Sequence, residues 1–214
     1  MKHAKSFLFT ILLTGACVSG AHGQGVIGLP YFGLEVGYER LRGIPNTNSL
    51  DGIGAGAELN FPMTRGRQEV GLDARAGLDF FRVDGSGHTR HLTMVDAGLR
   101  AYSPVQYGLK PYAGVGLGWG RLSDSPQAGP STTTDTVYFP LEAGIELARG
   151  PFSLTPFFRY IVSTDGDFDD FWEAGGKAAY WFNRGMATTV SVTHTDFKGD
   201  DRKLGVRVGL LFTF

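Results

Sequence analysis

The stretch Leu204-Gly-Val-Arg-Val-Gly-Leu-Leu-Phe-Thr-Phe214 decides how this chain folds. Leu204, Val206, Val208, Leu210, Phe212 and Phe214 share one parity and make an unbroken apolar face. Gly205, Arg207, Gly209, Leu211 and Thr213 make the other, small or polar but for Leu211. Alternation with a period of two marks a β-strand lying between two different environments. A soluble domain seldom ends on a bare apolar strand, because its free edge invites aggregation. Closing a barrel within a bilayer removes that edge.

Working outward from this strand, nine further runs carry the same pattern. The ten are 31–41, 50–61, 69–82, 91–103, 111–122, 136–148, 152–162, 171–182, 186–197 and 203–214. Each is about the length that a tilted membrane strand needs. The expected fold is all-β, a closed antiparallel transmembrane β-barrel of ten strands, with eight as the alternative. An even count returns both ends of the barrel to one side. Connections 62–68, 104–110, 149–151 and 183–185 are then expected as periplasmic turns, and 83–90, 123–135 and 163–170 as surface loops.

What faces outward supports a bilayer. The apolar parity runs through Phe32, Leu34, Val36, Ile53, Leu59, Leu78, Val95, Leu99, Val115, Leu117, Leu141, Ile145, Val190 and Val192 without a charge in mid-strand. Arg40, Asp51, Arg82, Arg121 and Asp196 share it only at strand ends, where they reach headgroups or water. An arginine or lysine at mid-bilayer costs about 2–4 kcal/mol, which gives the exclusion its cause. Phe61, Phe152, Phe182 and Phe214 gather at one rim, and Tyr38, Phe80, Trp119, Tyr160 and Trp172 towards the other, as interfacial girdles do.

The opposite parity carries Glu35, Glu39, Glu58, Asp73, Asp79, Asp96, Glu142, Glu146 and Glu173, with Arg75, Arg100, Arg159, Lys177 and Arg207. A soluble lipocalin-type barrel inverts this pattern, which excludes it. Nine acids face five bases, an excess of four, with Glu69 and Lys203 left out as a cancelling pair at strand starts. Barrels of about eight strands are filled by side chains, and open channels come with about 16–18, so an interlocked charge network is expected. Inward glycines such as Gly52, Gly54, Gly56, Gly114, Gly116, Gly118 and Gly120 are expected to relieve curvature and let large neighbours such as Trp181 pack over them. Pro140 and Pro156 lack a ladder donor, which predicts a bulge or a later strand start at each.

Residues 1–23 form the expected leader: basic Met1 to Lys5, an apolar core from Ser6 to Leu13, and Ala21-His22-Gly23 before cleavage. Residues 24–214 are then the barrel. The lone Cys17 falls in the leader; acylation at Gly15-Ala16-Cys17 is the alternative, with Thr14 where leucine is usual. Without Lys2 and Lys5 there remain 18 basic and 21 acidic residues, and no basic run points to nucleic acid. Beyond the leader no apolar run reaches the length of a membrane helix, so strands must do the crossing. Thirty-two glycines and 13% aromatic residues fit an all-β chain.

Lys110-Pro-Tyr-Ala-Gly-Val-Gly-Leu-Gly-Trp-Gly120, Pro140-Leu-Glu-Ala-Gly-Ile-Glu146 and the terminal Phe214 resemble the small outer-membrane β-barrel domains of the OmpA and opacity-protein type. The resemblance covers most of residues 24–214. Many members have eight strands where ten are read here. It implies a location in the outer membrane of a Gram-negative-type cell, among outer-membrane lipid and lipopolysaccharide. It also implies assembly by the barrel-assembly machinery, with Phe214, Phe212 and Leu210 as the assembly signal. Because such barrels serve many roles, it implies no activity.

The leading expectation is a non-enzymatic barrel with a structural or surface-interaction role, no cofactor, no metal and an unnamed surface ligand. Its lumen is plugged by Glu35, Glu58, Asp73, Arg75, Asp96, Arg100, Glu142, Glu146, Arg159, Lys177 and Arg207. One alternative is a narrow pore for cations or small solutes. The other is a surface hydrolase, omptin- or deacylase-like, for which Asp165-x-Asp167, His194-x-Asp196 and Ser191 are the candidates. Ser191 and His194 fall on opposite faces, too far apart for a nucleophile and its base. Asp165, Asp167 and Asp169 have calcium-loop spacing but lack its Gly (Asp170) and its final Glu (Gly176). His88, His91 and Asp84 fall short of a metal set.

Overall fold

A computed structural model describes residues 25–43, 49–64, 70–85, 87–126, 128–165, 169–197 and 201–214. The expected leader with Cys17, and Glu69 and Asp167, lie outside these residues. The strands are β1 (Tyr31–Arg42), β2 (Leu50–Thr64), β3 (Gly71–Gly85), β4 (His88–Tyr102), β5 (Leu109–Ser125), β6 (Thr132–Arg149), β7 (Phe152–Ser163), β8 (Phe171–Asn183), β9 (Met186–Phe197) and β10 (Arg202–Thr213). Each pairs antiparallel with the next, and β10 returns to β1 to close the barrel. The count is ten. Closure runs from Tyr31↔Thr213 to Arg42↔Arg202, so the edge of the last strand is paired along its whole length.

The apolar parity faces outward. Leu34, Val36, Ile53, Leu59, Val115, Leu117, Leu141, Val192, Val206 and Val208 are all exposed on the barrel exterior. Such a belt is far larger than the apolar patches that soluble monomers expose, and lipid is the solvent it suits. Rings pair at its rims: Phe152 with Tyr180 (5.0 Å) and Tyr180 with Phe182 (5.3 Å) at one, Phe158 with Trp172 (6.0 Å) at the other. The rim beside Tyr31 and Thr213 is called the terminal end below, and the other the hairpin end.

Two expectations about connections need correction. The expected loop 123–135 is mostly strand, since β5 and β6 continue upward through Ser123↔Thr133 and Asp124↔Thr132. Cross-strand hydroxyl pairs (Ser123 to Thr133, 3.2 Å; Ser125 to Ser131, 3.0 Å) and the Arg121–Asp135 ion pair (2.7 Å) support a polar hairpin in water. The expected loop 83–90 is likewise absorbed, with Val83↔Arg90 and Gly85↔His88 paired, so His88 and His91 stand on β4. At the terminal end, Tyr107 and Gly108 both have positive φ (54° and 80°) between the mutual bonds of Gln106 and Leu109. This is the type I′ geometry that a two-residue hairpin favours.

Neither proline brings the expected bulge or late start. Register between β5 and β6 is the same on both sides of Pro140, with Val115↔Leu141 and Gly118↔Tyr138, while the pairs between are lost. Pro156 does the same between Gly144↔Phe157 and Leu147↔Leu154. A missing N–H removes a bond without shifting the ladder.

Inside, the lumen is layered. At the hairpin end Leu41, Leu50, Phe81, Val83, Leu92, Met94, Tyr138, Ile161 and Phe171 form one apolar cluster, joined by Leu122 and Phe197. At the terminal end Val26, Tyr31, Ala179, Trp181, Ala187 and Leu211 form a second, and Ile27, Tyr102 and Tyr112 a third. Between them lie the charges.

Candidate functional site

The charged middle of the lumen is built by one rule: inward parity places an acid or a base from nearly every strand at similar height. Arg75 (β3) bridges Asp96 (3.2 Å) on β4 and Glu142 on β6, and Arg159 (β7) also reaches Asp96. Lys177 (β8) joins Glu35 (2.8 Å) on β1 to Glu58 (2.5 Å) on β2. Arg207 (β10) joins Glu39 (2.7 Å) to Asp79. Lower down, Arg100 meets Asp73 (3.2 Å) and Asn60 (2.8 Å). These bonds cross the lumen as well as neighbouring strands, and each base except Arg159 is shared by two partners.

The charge count differs from the sequence-based one. Lys203, set aside as a strand-start residue, is buried and lies 3.7 Å from Glu39, with its ammonium over the Phe81 ring. Lys110, assigned to a turn, reaches inward to Glu146 at 3.4 Å. Among the described residues below the hairpin-end apolar layer, nine inward acids therefore face seven bases, and the excess falls from four to two. Glu173 takes a hydrogen bond from Thr195 (3.1 Å) instead of a base. Thr189 and Ser191 bond Glu35 in the same way, so β9 lines the lumen with hydroxyls.

Two adjoining cavities of about 180 and 130 Å³ remain among these charges, each with room for several waters. Ser153, buried and facing the larger one, has no hydrogen-bond partner for its Oγ among the described residues. Above the chamber the apolar layer leaves a gap of only about 30 Å³ beside Ile161, Phe171 and Phe197. Gly118 makes part of that layer possible. A Cβ there would stand 2.3 Å from the Tyr138 ring, so Tyr138, and not Trp181, is the large neighbour that packs over Gly118 and Gly120. Trp181 belongs to the cluster at the other end.

Below the chamber sits a feature that the sequence did not signal. Residues 25–30 turn into the barrel mouth, where Val26 and Ile27 are buried. The amides of Val26 and Ile27 donate to Glu146, and that of Gly28 to Asp73 (3.0 Å). Lys110 Nζ donates to the Ile27 carbonyl (2.6 Å) and Asn60 Nδ2 to that of Leu29 (2.8 Å). Glu146 and Asp73 thus act less as partners of distant bases than as clamps on a main chain. Val26 and Ile27 precede Pro30 without any periodicity that would have marked them.

The candidate catalytic and metal residues do not converge. His194 lies on the exterior beside the Trp172 ring (5.4 Å), while Ser191 points inward to Glu35. Asp196 pairs with Arg202, and Asp84 with Arg82 and Thr89. A histidine–aspartate pair does form, between His88 and Asp124, above the apolar layer, where Arg90 also binds Asp124 (2.7 Å) and Asp201. Among the described residues no three His, Cys, Asp or Glu side chains stand where they could hold a metal ion.

No family model matches the sequence, and no curated protein matches it. Solved structures do share the fold. The transport unit of the autotransporter AIDA-I from Escherichia coli matches with a TM-score of 0.57 at 9% identity, over 98% of each chain. The outer membrane protease OmpT from Escherichia coli matches with a TM-score of 0.51 at 10% identity, over 89% of this chain and 98% of its own. At these identities what is shared is the barrel.

Proposed function

We propose that this chain is an outer-membrane barrel, exported by its leader and inserted by the barrel-assembly machinery, with a structural or surface-interaction role. The observation that carries this reading is the pair of apolar layers that bracket the charged chamber. An ion entering from either end must cross buried Leu, Phe, Tyr and Trp side chains, and a dry apolar constriction is a barrier to charge. Lipid and lipopolysaccharide surround the belt, and the hairpins 125–132 and 163–171 face the outside. Purified protein in planar bilayers should give no steady current at neutral pH. A large, stable current from the wild type would overturn the reading, and an anion-selective one would also overturn the charge placement.

One observation favours a second reading, a narrow cation path. The lumen keeps two uncompensated acids, and the gap of about 30 Å³ touches both Glu173 and the apolar layer. Any leak should therefore prefer cations. A hydrolase has less support, since Ser191 and His194 lie on opposite faces of β9.

Sidedness and assembly follow from the same reading. A cysteine at Ser131 should react with an impermeant maleimide on intact cells, and one at Gly150 should not; the reverse would invert the barrel. Phe214, exposed at 70% beyond the last strand, is proposed as the terminal recognition residue with Phe212 and Leu210. Phe214→Asp should leave the protein degraded or aggregated in the periplasm. Normal heat-modifiable protein in the outer membrane would count against that role.

A further inference from the structure

The charges on the exterior lie unevenly. Just above the apolar belt at the hairpin end, exposed arginines and aspartates oppose one another across neighbouring strands: Arg40↔Asp51, Arg121↔Asp135 and Arg202↔Asp196. The first two are close ion pairs, at 2.6 and 2.7 Å. One row breaks the pattern at the seam where the chain closes on itself. Arg42 of β1 stands directly opposite Arg202 of β10 on the same outward face. Like charges placed directly opposite destabilise a sheet, and nothing in the fold requires them here.

Among the described residues neither arginine has a close counter-charge. Arg202 meets Asp196 only at 3.7 Å and is 63% exposed, and among the described residues Arg42 makes no ion pair. Arg40 stands one pleat below, committed to Asp51, which also takes the Tyr38 hydroxyl. The other like-charged opposition in this sector, Asp51↔Asp84, is relieved in place by Arg40 and by Arg82 with Thr89. Below Arg40 and its ion pair the exterior of this seam is apolar: Leu204, Val206, Val208, Tyr38 and Val36 are exposed. The same seam at the terminal end carries no charge, with Phe32↔Phe212 and Leu34↔Leu210.

We propose that Arg42 and Arg202 clamp the phosphate of an anionic lipid whose acyl chains lie on the belt below, so that this lipid staples the first strand to the last. Two guanidinium forks about one strand spacing apart suit a group with several anionic oxygens, and a phosphate supplies the charge that removes their repulsion. The apolar face directly below selects a phosphate that carries acyl chains over a free one. Cationic side chains at a headgroup boundary are drawn to anionic lipid in this way. The proposal rests on the membrane-barrel reading above.

The test compares thermal unfolding of the heat-modifiable form in vesicles of phosphatidylcholine alone and of phosphatidylcholine with phosphatidic acid. Phosphatidic acid should raise the wild-type midpoint by about 5 °C. Arg42→Gln and Arg202→Gln, both at exposed sites, should each lose most of that rise, and added salt should reduce it. Arg121→Gln, on the far side of the barrel, should keep it. Inorganic phosphate added to phosphatidylcholine vesicles should give no rise. A wild type that inserts and shows no rise, variants that keep it, or an equal rise with inorganic phosphate each overturns the proposal alone. A chain that inserts into neither vesicle overturns the barrel reading as well.

Discussion

The two ends of the lumen are closed by different means. At the hairpin end the closure belongs to the wall, because Leu41, Leu50, Phe81, Val83, Leu92, Met94 and Tyr138 come from strands that cannot move without opening the barrel. At the terminal end much of it is a separate piece of chain, residues 25–30, held by main-chain bonds to Glu146 and Asp73. A wall closure is as stable as the sheet. A docked segment is only as stable as its few hydrogen bonds and two buried side chains, and it can open locally without global unfolding. The contrast assigns permanence to one end and releasability to the other.

The strongest way to break this contrast is to remove both closures. Deleting residues 25–29 alone should leave the bilayer silent, because the hairpin-end layer still blocks the path. Combining the deletion with Phe81→Ala and Tyr138→Ala should give a cation-preferring current where the wild type gives none. A current from the deletion alone would show that the wall layer does not seal.

Glu146→Ala tests the clamp. It removes the acceptor for two buried amides and leaves the half-buried Lys110 without its counter-charge, at a cost of about 3 kcal/mol. Denaturant unfolding should show that loss, and protease should cut the segment at 25–30 before the barrel unfolds. Simultaneous loss of both would mean that the segment is part of the wall. Gly118→Ala should cost less, about 1–3 kcal/mol, through overpacking against the Tyr138 ring, and should leave protease access to 25–30 unchanged. Tyr138→Phe is the mildest change. It removes only the hydroxyl bond to Asp96 (3.3 Å), worth about 1 kcal/mol, and keeps the ring that fills the layer.

The charged network sits between these closures, and it was only half legible beforehand. Parity told which side chains turn inward, because each Cβ on a strand alternates faces whatever the rest of the chain does. It turned Lys203 inward as well, but it could not tell that Lys110 belongs to the set, since that residue sits where a strand end and a turn look alike in sequence. The apolar layer was legible in principle: Leu41, Leu50, Phe81, Val83, Leu92 and Met94 share the parity of the acids. Residues 25–30 left no trace, because a plug held by backbone amides needs no side-chain pattern.

By itself, the sequence determined the strand count, the outward belt, the girdles and the return of both barrel termini to one end. All of these follow from a period of two repeated within short segments, which is a local property. Tertiary structure alone decided who meets whom. Arg207 and Glu39 lie 168 residues apart, and Arg75 and Glu142 lie 67 apart. Their meeting depends on the tilt and stagger with which ten strands close, quantities that no single strand encodes. The same closure brought Arg42 against Arg202 and drew the chain's first described residues into the mouth of the barrel.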